Sequence, residues 1–201
     1  MDLIELMKAV DFAAEKHKEQ KRKDPQGTPY INHPIRVCNK LTKAGITDLK
    51  ILQAALLHDT LEDTKTTAEE IEKEFGIEVL KIVQECSDDK KLPAAERKKQ
   101  QIAHASKISY EAMLVKLADK FDNLTDLLNN QPSSWSIERI QGYYYWSYLV
   151  IKEMSGTNTY LENELNELFS GTFIYKEQYY PTLVPENERE LLIENYYSHL
   201  F

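Results

Sequence analysis

Residues 49–63 read LKILQAALLHDTLED, a run that stays largely apolar to Leu57 and then turns ionisable. Asp48 stands where an N-cap is wanted, so the pattern predicts one helix from Leu49 through Asp63. Leu52, Ala54, Ala55, Leu56 and Leu57 leave little of that helix polar, the mark of a core helix rather than a surface one. His58 and Asp59 follow, and Glu62 and Asp63 lie one turn further along the same stripe. Four ionisable groups on such a helix are costly to bury unpaired, and because three are acids a cation is the natural compensation. A merely exposed acidic stripe would not carry these leucine and alanine flanks.

Two other stretches supply partners. In TPYINHPIRVCNK, residues 28–40, His33 precedes Pro34, which suits the first position of a second helix. A histidine there is, taken alone, most often a capping or hydrogen-bonded residue. In MLVKLADKFDNL, residues 113–124, Asp119 interrupts a second apolar helix and Asn123 follows one turn later. Alone, Asp119 would pair with Lys116 or Lys120. Together, the imidazoles of His33 and His58 with the carboxylates of Asp59 and Asp119 make a mixed nitrogen and oxygen site. That donor set suits Mn²⁺, Fe²⁺ or Zn²⁺ better than Ca²⁺ or a thiol-seeking metal.

The remaining pattern is helical almost throughout. Leu3, Met7, Val10 and Ala14 form a helical stripe behind an Asp2/Glu5 capping box. Gly45 ends the second helix, and Thr67 with Glu70 caps a short helix that Gly76 terminates. Pro93 opens the charged segment PAAERKKQQ, and helices are predicted around 135–154 and 158–169. No segment alternates with period two between hairpin turns, so the expected class is all-α. Residues 1–169 form one domain. Residues 170–201 have another texture: SGTFIYKEQYYPTLVPENE, then a short amphipathic RELLIENYYSHLF, an extension expected to pack on the same domain.

The chain has 201 residues, 42% of them hydrophobic and 29% charged, which fits a folded globular protein with a proper core. A net charge of −8 argues against nucleic acid or an anionic membrane as the main partner. No apolar run reaches the ~20 residues of a membrane span. The start, MDLIELMKAV, lacks the basic region and cleavage site of a secretory signal. Cys38 and Cys86 are the only cysteines, too few for a disulfide framework, so a cytoplasmic protein with buried thiols is expected.

YINHP, AALLHDTLEDT and KLADKFDNL, with 25 residues between His33 and His58 and 60 between Asp59 and Asp119, resemble the HD phosphohydrolase superfamily. More narrowly they resemble the hydrolase domain of RelA/SpoT alarmone enzymes, and most narrowly the stand-alone small alarmone hydrolases of the metazoan SpoT-homologue type. The similarity runs from about residue 5 to about residue 169. It implies an HD-domain helical bundle in which His33, His58, Asp59 and Asp119 hold Mn²⁺, with Fe²⁺ or Zn²⁺ less favoured. Glu62 and Asp63 would ready the attacking water. The implied activity is that of a stringent-response enzyme, a 3′-pyrophosphohydrolase that converts ppGpp or pppGpp to GDP or GTP and pyrophosphate.

The same resemblance puts Asn123 at ribose or phosphate, Arg22 and Lys23 beside the guanine, and Tyr143 near the substrate. Arg139, one turn before Tyr143, would reach the same pocket. Lys98 is a further phosphate candidate, although a group such as Arg97, Lys98 and Lys99 more often marks a solvated face. A solvated loop for Arg22 and Lys23, and core packing for Tyr143, are the plainer alternatives. Asp122 stands where relatives often carry histidine or tyrosine, and Phe121 where leucine is usual. The tail is expected to cover the site mouth, or to meet a second copy in a homo-oligomer, and so to affect substrate choice. The chain is too short for the synthetase and regulatory domains of longer relatives. One rival is an HD phosphohydrolase of another nucleotide, such as one removing the 2′-phosphate of NADPH. Another is a non-catalytic nucleotide sensor, which would require a degenerate constellation, and none of the six residues is missing.

Overall fold

Helix α3 (Leu49–Leu57) forms the centre of the molecule, buried at every position from Ile51 to Leu57. The computed structural model describes residues 2–200. Asp48 accepts a hydrogen bond from the Lys50 amide at 2.8 Å and fixes the start of α3 as the sequence predicts. Around it stand α1 (Leu3–Lys16), α2 (Asn32–Lys43), α6 (Ile77–Cys86) and α8 (Tyr110–Asn129), with α4 (Thr60–Asp63) and α5 (Ala68–Phe75) joining α3 to α6. Helices α7 (Ala94–His104), α9 (Ile137–Lys152) and α10 (Thr159–Ser170) complete the bundle. One contiguous apolar core runs from Ala9 and Ala13 through α3 to Leu124, Tyr144 and Trp146. Among the described residues no helix is long and apolar enough to cross a membrane.

The helix predicted over 49–63 is broken. It stops at Leu57, and α4 restarts at Thr60 after His58 and Asp59. At the break the buried Thr60 hydroxyl donates to the Leu57 carbonyl at 2.7 Å. Asp59 settles at φ −95°, ψ −4°, in the sparsely used bridge region where many site residues are found. The α1 stripe is also rotated from its expected face. Leu3 and Met7 are 64% and 59% exposed, while Ala9 and Ala13 are buried against the core. Two alanines four apart let α1 approach α3 closely, near enough for Gln53 to donate to the Glu5 carbonyl at 3.0 Å. Pro34 lies two residues inside α2, which starts at Asn32.

The all-α expectation holds for the bundle, and the extension adds a small hairpin. Strands β1 (Thr172–Tyr175) and β2 (Gln178–Pro181) pair antiparallel, with Phe173 opposite Tyr180 and Tyr175 opposite Gln178. Its two-residue turn places Lys176 and Glu177 at φ 47° and 65°. Such turns are normally announced by Asn-Gly or Asp-Gly, and Lys-Glu carries no such signal. Phe173 is buried and stacks on Tyr144, and Thr182 donates from its hydroxyl to the Phe169 carbonyl at 2.9 Å. The chain then returns as α11 (Arg189–Ser198), which lies on α9 and touches α7.

Candidate active site

The break after α3 turns His58 and Asp59 toward α2 and α8. The His58 Nδ1 lies 2.8 Å from the Ala55 carbonyl, which can only accept, so Nδ1 carries the proton. Its Nε2 is buried and has no hydrogen-bond partner among the described residues. His33, in the first turn of α2, is arranged likewise. Its Nδ1 donates to the Asp122 carboxylate at 2.8 Å, and its Nε2 stands 3.1 Å from Asp119 Oδ1 and 3.6 Å from Asp59 Oδ2. His58 Nε2 is 3.1 Å from Asp59 Oδ2 and 3.7 Å from Asp119 Oδ1. One ligand atom each from His33, His58 and Asp119 falls within a sphere of mutual separations no larger than 4.8 Å.

These groups are surrounded by others that orient them. Tyr30 donates to Asp59 Oδ2 at 2.6 Å, Asn123 to Asp119 Oδ1 at 2.6 Å, and Lys120 to Asp119 Oδ2 at 3.0 Å. Burial on its own would lower both imidazole pKa values, but the carboxylates outweigh it. Asp119 and Asp122 raise His33, and Asp59 and Asp119 raise His58 well above its ordinary range. Burial works against the charged form of Asp59 and Asp119 too. Even so, His58 draws Asp59 down, and Lys120 with His33 draws Asp119 well down. Carboxylates this acidic beside imidazoles this eager for a positive charge describe a cation site. An unpartnered Nε2 aimed at two carboxylate oxygens, with the far nitrogen of each ring held by a carbonyl or carboxylate, fits a divalent metal.

The other residues singled out from sequence line a cleft of about 430 Å³ that opens onto this cluster. His33, Asp59, Asp119, Glu62, Asp63, Asn123, Lys23, Lys98, Arg139 and Tyr143 all border it, while His58 closes a smaller hollow behind. Glu62 accepts from the Asp88 amide at 3.1 Å and pairs with Arg97 at 3.2 Å, and burial raises its pKa. Asp63 meets Lys90 at 2.5 Å. Arg22 lies in an adjoining hollow of about 280 Å³, tied to Asp126 at 3.0 Å and Asn123 at 2.9 Å. Lys98 Nζ sits 3.3 Å from the centre of the Trp146 ring, and burial with neighbouring Lys120 pushes its pKa well down. Lys23, Lys98 and Arg139 have no carboxylate partner among the described residues. Lys23 and Arg139 are therefore cations that an anionic ligand would satisfy, and an anion would favour the charged form of Lys98 that burial opposes.

Tyr30 and Asp122 were not among the sequence candidates. Asp122 is 2% exposed and bonds to a proposed ligand. An acid among apolar residues three positions after Asp119 was the available signal. Tyr30 left no such mark, because a tyrosine in a turn-prone segment has many uses.

An HD-domain family model matches residues 9–141. A mouse protein named guanosine-3′,5′-bis(diphosphate) 3′-pyrophosphohydrolase MESH1 is 55% identical over 169 residues, covering 84% of this chain and 94% of its own. The protein of the same name from Drosophila melanogaster is 49% identical over 164 residues, covering 81% and 92%. A solved structure, described as a metazoan orthologue of SpoT that hydrolyses ppGpp, superposes with a TM-score of 0.81 at 49% identity. It covers 82% of this chain and 93% of that one.

Proposed function

This chain belongs to the HD-domain family, and from that premise we propose that it is a metal-dependent 3′-pyrophosphohydrolase of ppGpp and pppGpp. The observation that carries the reading is the coincidence of two features in one cleft. Two buried imidazoles turn their Nε2 atoms toward carboxylates, and beside them stand cations without carboxylate partners. His33, His58, Asp59 and Asp119 are the residues that would hold the metal. Mn²⁺ is our choice, because a two-nitrogen, two-oxygen donor set without thiolate suits it. When bound, a divalent cation offsets charge on phosphate oxygens and lowers the pKa of water from 15.7 toward about 7.

The chain's own groups do the rest. Glu62, with Asp63 beside it, orients a water against the phosphorus attached to the ribose 3′ oxygen and takes its proton. The raised pKa of Glu62 moves it in the direction that makes a carboxylate a better base. The bond between that phosphorus and the 3′ oxygen breaks, the ribose oxygen leaves as a hydroxyl after gaining a proton, and pyrophosphate departs. Lys23, Lys98 and Arg139 bind phosphate oxygens, Asn123 holds Asp119 and reaches the ribose, and Tyr143 forms an aromatic wall. Residues 1–169 constitute the hydrolase domain and 170–201 an extension on it. The two unpaired cysteines, their pKa values pushed to about 11 by burial, agree with a cytoplasmic setting.

The test is product analysis on metal-stripped protein given ppGpp and Mn²⁺, with His58→Ala alongside. Mn²⁺-dependent appearance of GDP and pyrophosphate, absent in His58→Ala, is the expected result. Well-folded, Mn²⁺-loaded protein that leaves ppGpp intact would overturn the reading.

A further inference from the structure

The similarity to the mouse protein covers 94% of that protein and 84% of this chain. The C-terminal tail does not hang free. Tyr196 of α11 is 4% exposed and sits so close to α9 that a Cβ on Gly142 would lie 2.7 Å from it. Its neighbour Tyr197 meets Lys99 of α7, with Nζ 5.5 Å from the ring centre. Helix α11 thus spans the two helices that carry Lys98 and Arg139. Tyr196 and Leu200 border the same cleft as His33, Asp59 and Asp119.

A guanosine 3′,5′-bis(diphosphate) has three arms, and the site offers three places. The 3′ arm has to reach the histidine and aspartate cluster for the proposed reaction. The adjoining hollow, with the flat faces of Tyr30 and Trp135 and the amide of Asn130, suits a base. The 5′ arm is left with Lys98 and Arg139, and Arg139, Tyr196 and Leu200 border both the cleft and a second hollow of about 520 Å³ along α11. Building on the function proposed above, we propose that α11 is a stop for the 5′ arm. Tyr196 and Leu200 limit its length, so that a 5′-diphosphate is accepted in preference to a 5′-triphosphate or a 5′-linked second nucleoside. They are specificity-determining residues contributed by the C-terminal extension.

The experiment compares kcat/KM for ppGpp and pppGpp, with NADPH as a longer probe, using full-length Mn²⁺-loaded wild type, Leu200→Ala and Tyr196→Ala. The pppGpp:ppGpp ratio is expected to rise about tenfold in the variants, the lower end of what one displaced group does to steric discrimination. Leu200 lies beyond the last turn of α11, so Leu200→Ala carries the test if Tyr196→Ala does not fold. A ratio unchanged within about twofold, or equal loss on both substrates, would overturn the proposal and reduce α11 to a strut. Failure of wild type to hydrolyse ppGpp at all is a different result, and would overturn the functional reading with this one.

Discussion

Replacing Gly142 with alanine sets two opposed effects against each other. Gly142 lies inside α9, where alanine is favoured over glycine by about 1 kcal/mol in a helix interior. If α11 merely rested nearby, Gly142→Ala would stabilise the protein. The added Cβ, however, would stand 2.7 Å from Tyr196 Cβ and Cδ2 and 2.8 Å from Cγ. Those atoms are the root of the side chain, so no rotamer change relieves the clash and α11 itself has to shift. Overpacking of this kind costs about 1–3 kcal/mol, and full release of Tyr196 from its seat about the same. Taking 2–3 kcal/mol against the gain of about 1 leaves a net loss of about 1–2 kcal/mol. For a chain of this size that is a fall in Tm of about 2–8 °C, against a rise of about 2–4 °C if the contact is absent. Thermal unfolding by calorimetry separates the two signs, and limited proteolysis at the hairpin reports whether the tail has come away. A Tm for Gly142→Ala above that of wild type would refute the docking on which the specificity proposal rests.

Three other outcomes follow from the same geometry. Asp122→Ala removes the acceptor that fixes the His33 ring, and metal affinity measured by chelator competition should fall by about 10–100-fold, with part recovered in Asp122→Asn; unchanged affinity would show that His33 needs no such partner. In metal-free protein the raised His33 and His58 contribute stability that is complete below their unfolded value of 6.5 and lost as pH rises through their folded values. The lowered Asp59 and Asp119 contribute above 3.8 and lose that contribution as pH falls through their folded values. Chelator-treated protein should therefore be most stable between these limits and lose stability toward alkaline pH, and Mn²⁺ should raise Tm most on the alkaline side, where protons compete least; a metal-free Tm that climbs from pH 6 to pH 9 would contradict this. Lys98→Met should lower kcat/KM for ppGpp by about 10–100-fold, the worth of one charge-assisted hydrogen bond of about 1.5–3 kcal/mol; loss of activity on a substrate lacking the 5′-phosphates by the same factor would place Lys98 elsewhere.

Much was legible along the chain because it is local. Capping at Asp48 and Thr67, the stop at Gly76, and apolar stretches interrupted by His58, Asp59 and Asp119 are matters of spacing, and spacing survives in a bare sequence. The six candidate metal and acid residues were visible for that reason, since ionisable groups stand out where burial forbids them unpaired. Three things were not local. The break at His58, where the Thr60 hydroxyl takes the Leu57 carbonyl, is one that periodicity does not register. The role of Asp122 depends on α2 lying against α8, and an acid followed by an asparagine reads equally well as a solvated turn of helix. The seat of Tyr196 under Gly142 joins residues 54 apart, and neither glycine in a helix nor tyrosine in a tail announces the other. The sequence alone thus determined the helical class and the chemistry of the site, because burial and charge are set residue by residue. Only the tertiary structure decided which groups orient the ligands and what closes the cleft, because those depend on distances between helices that no single stretch contains.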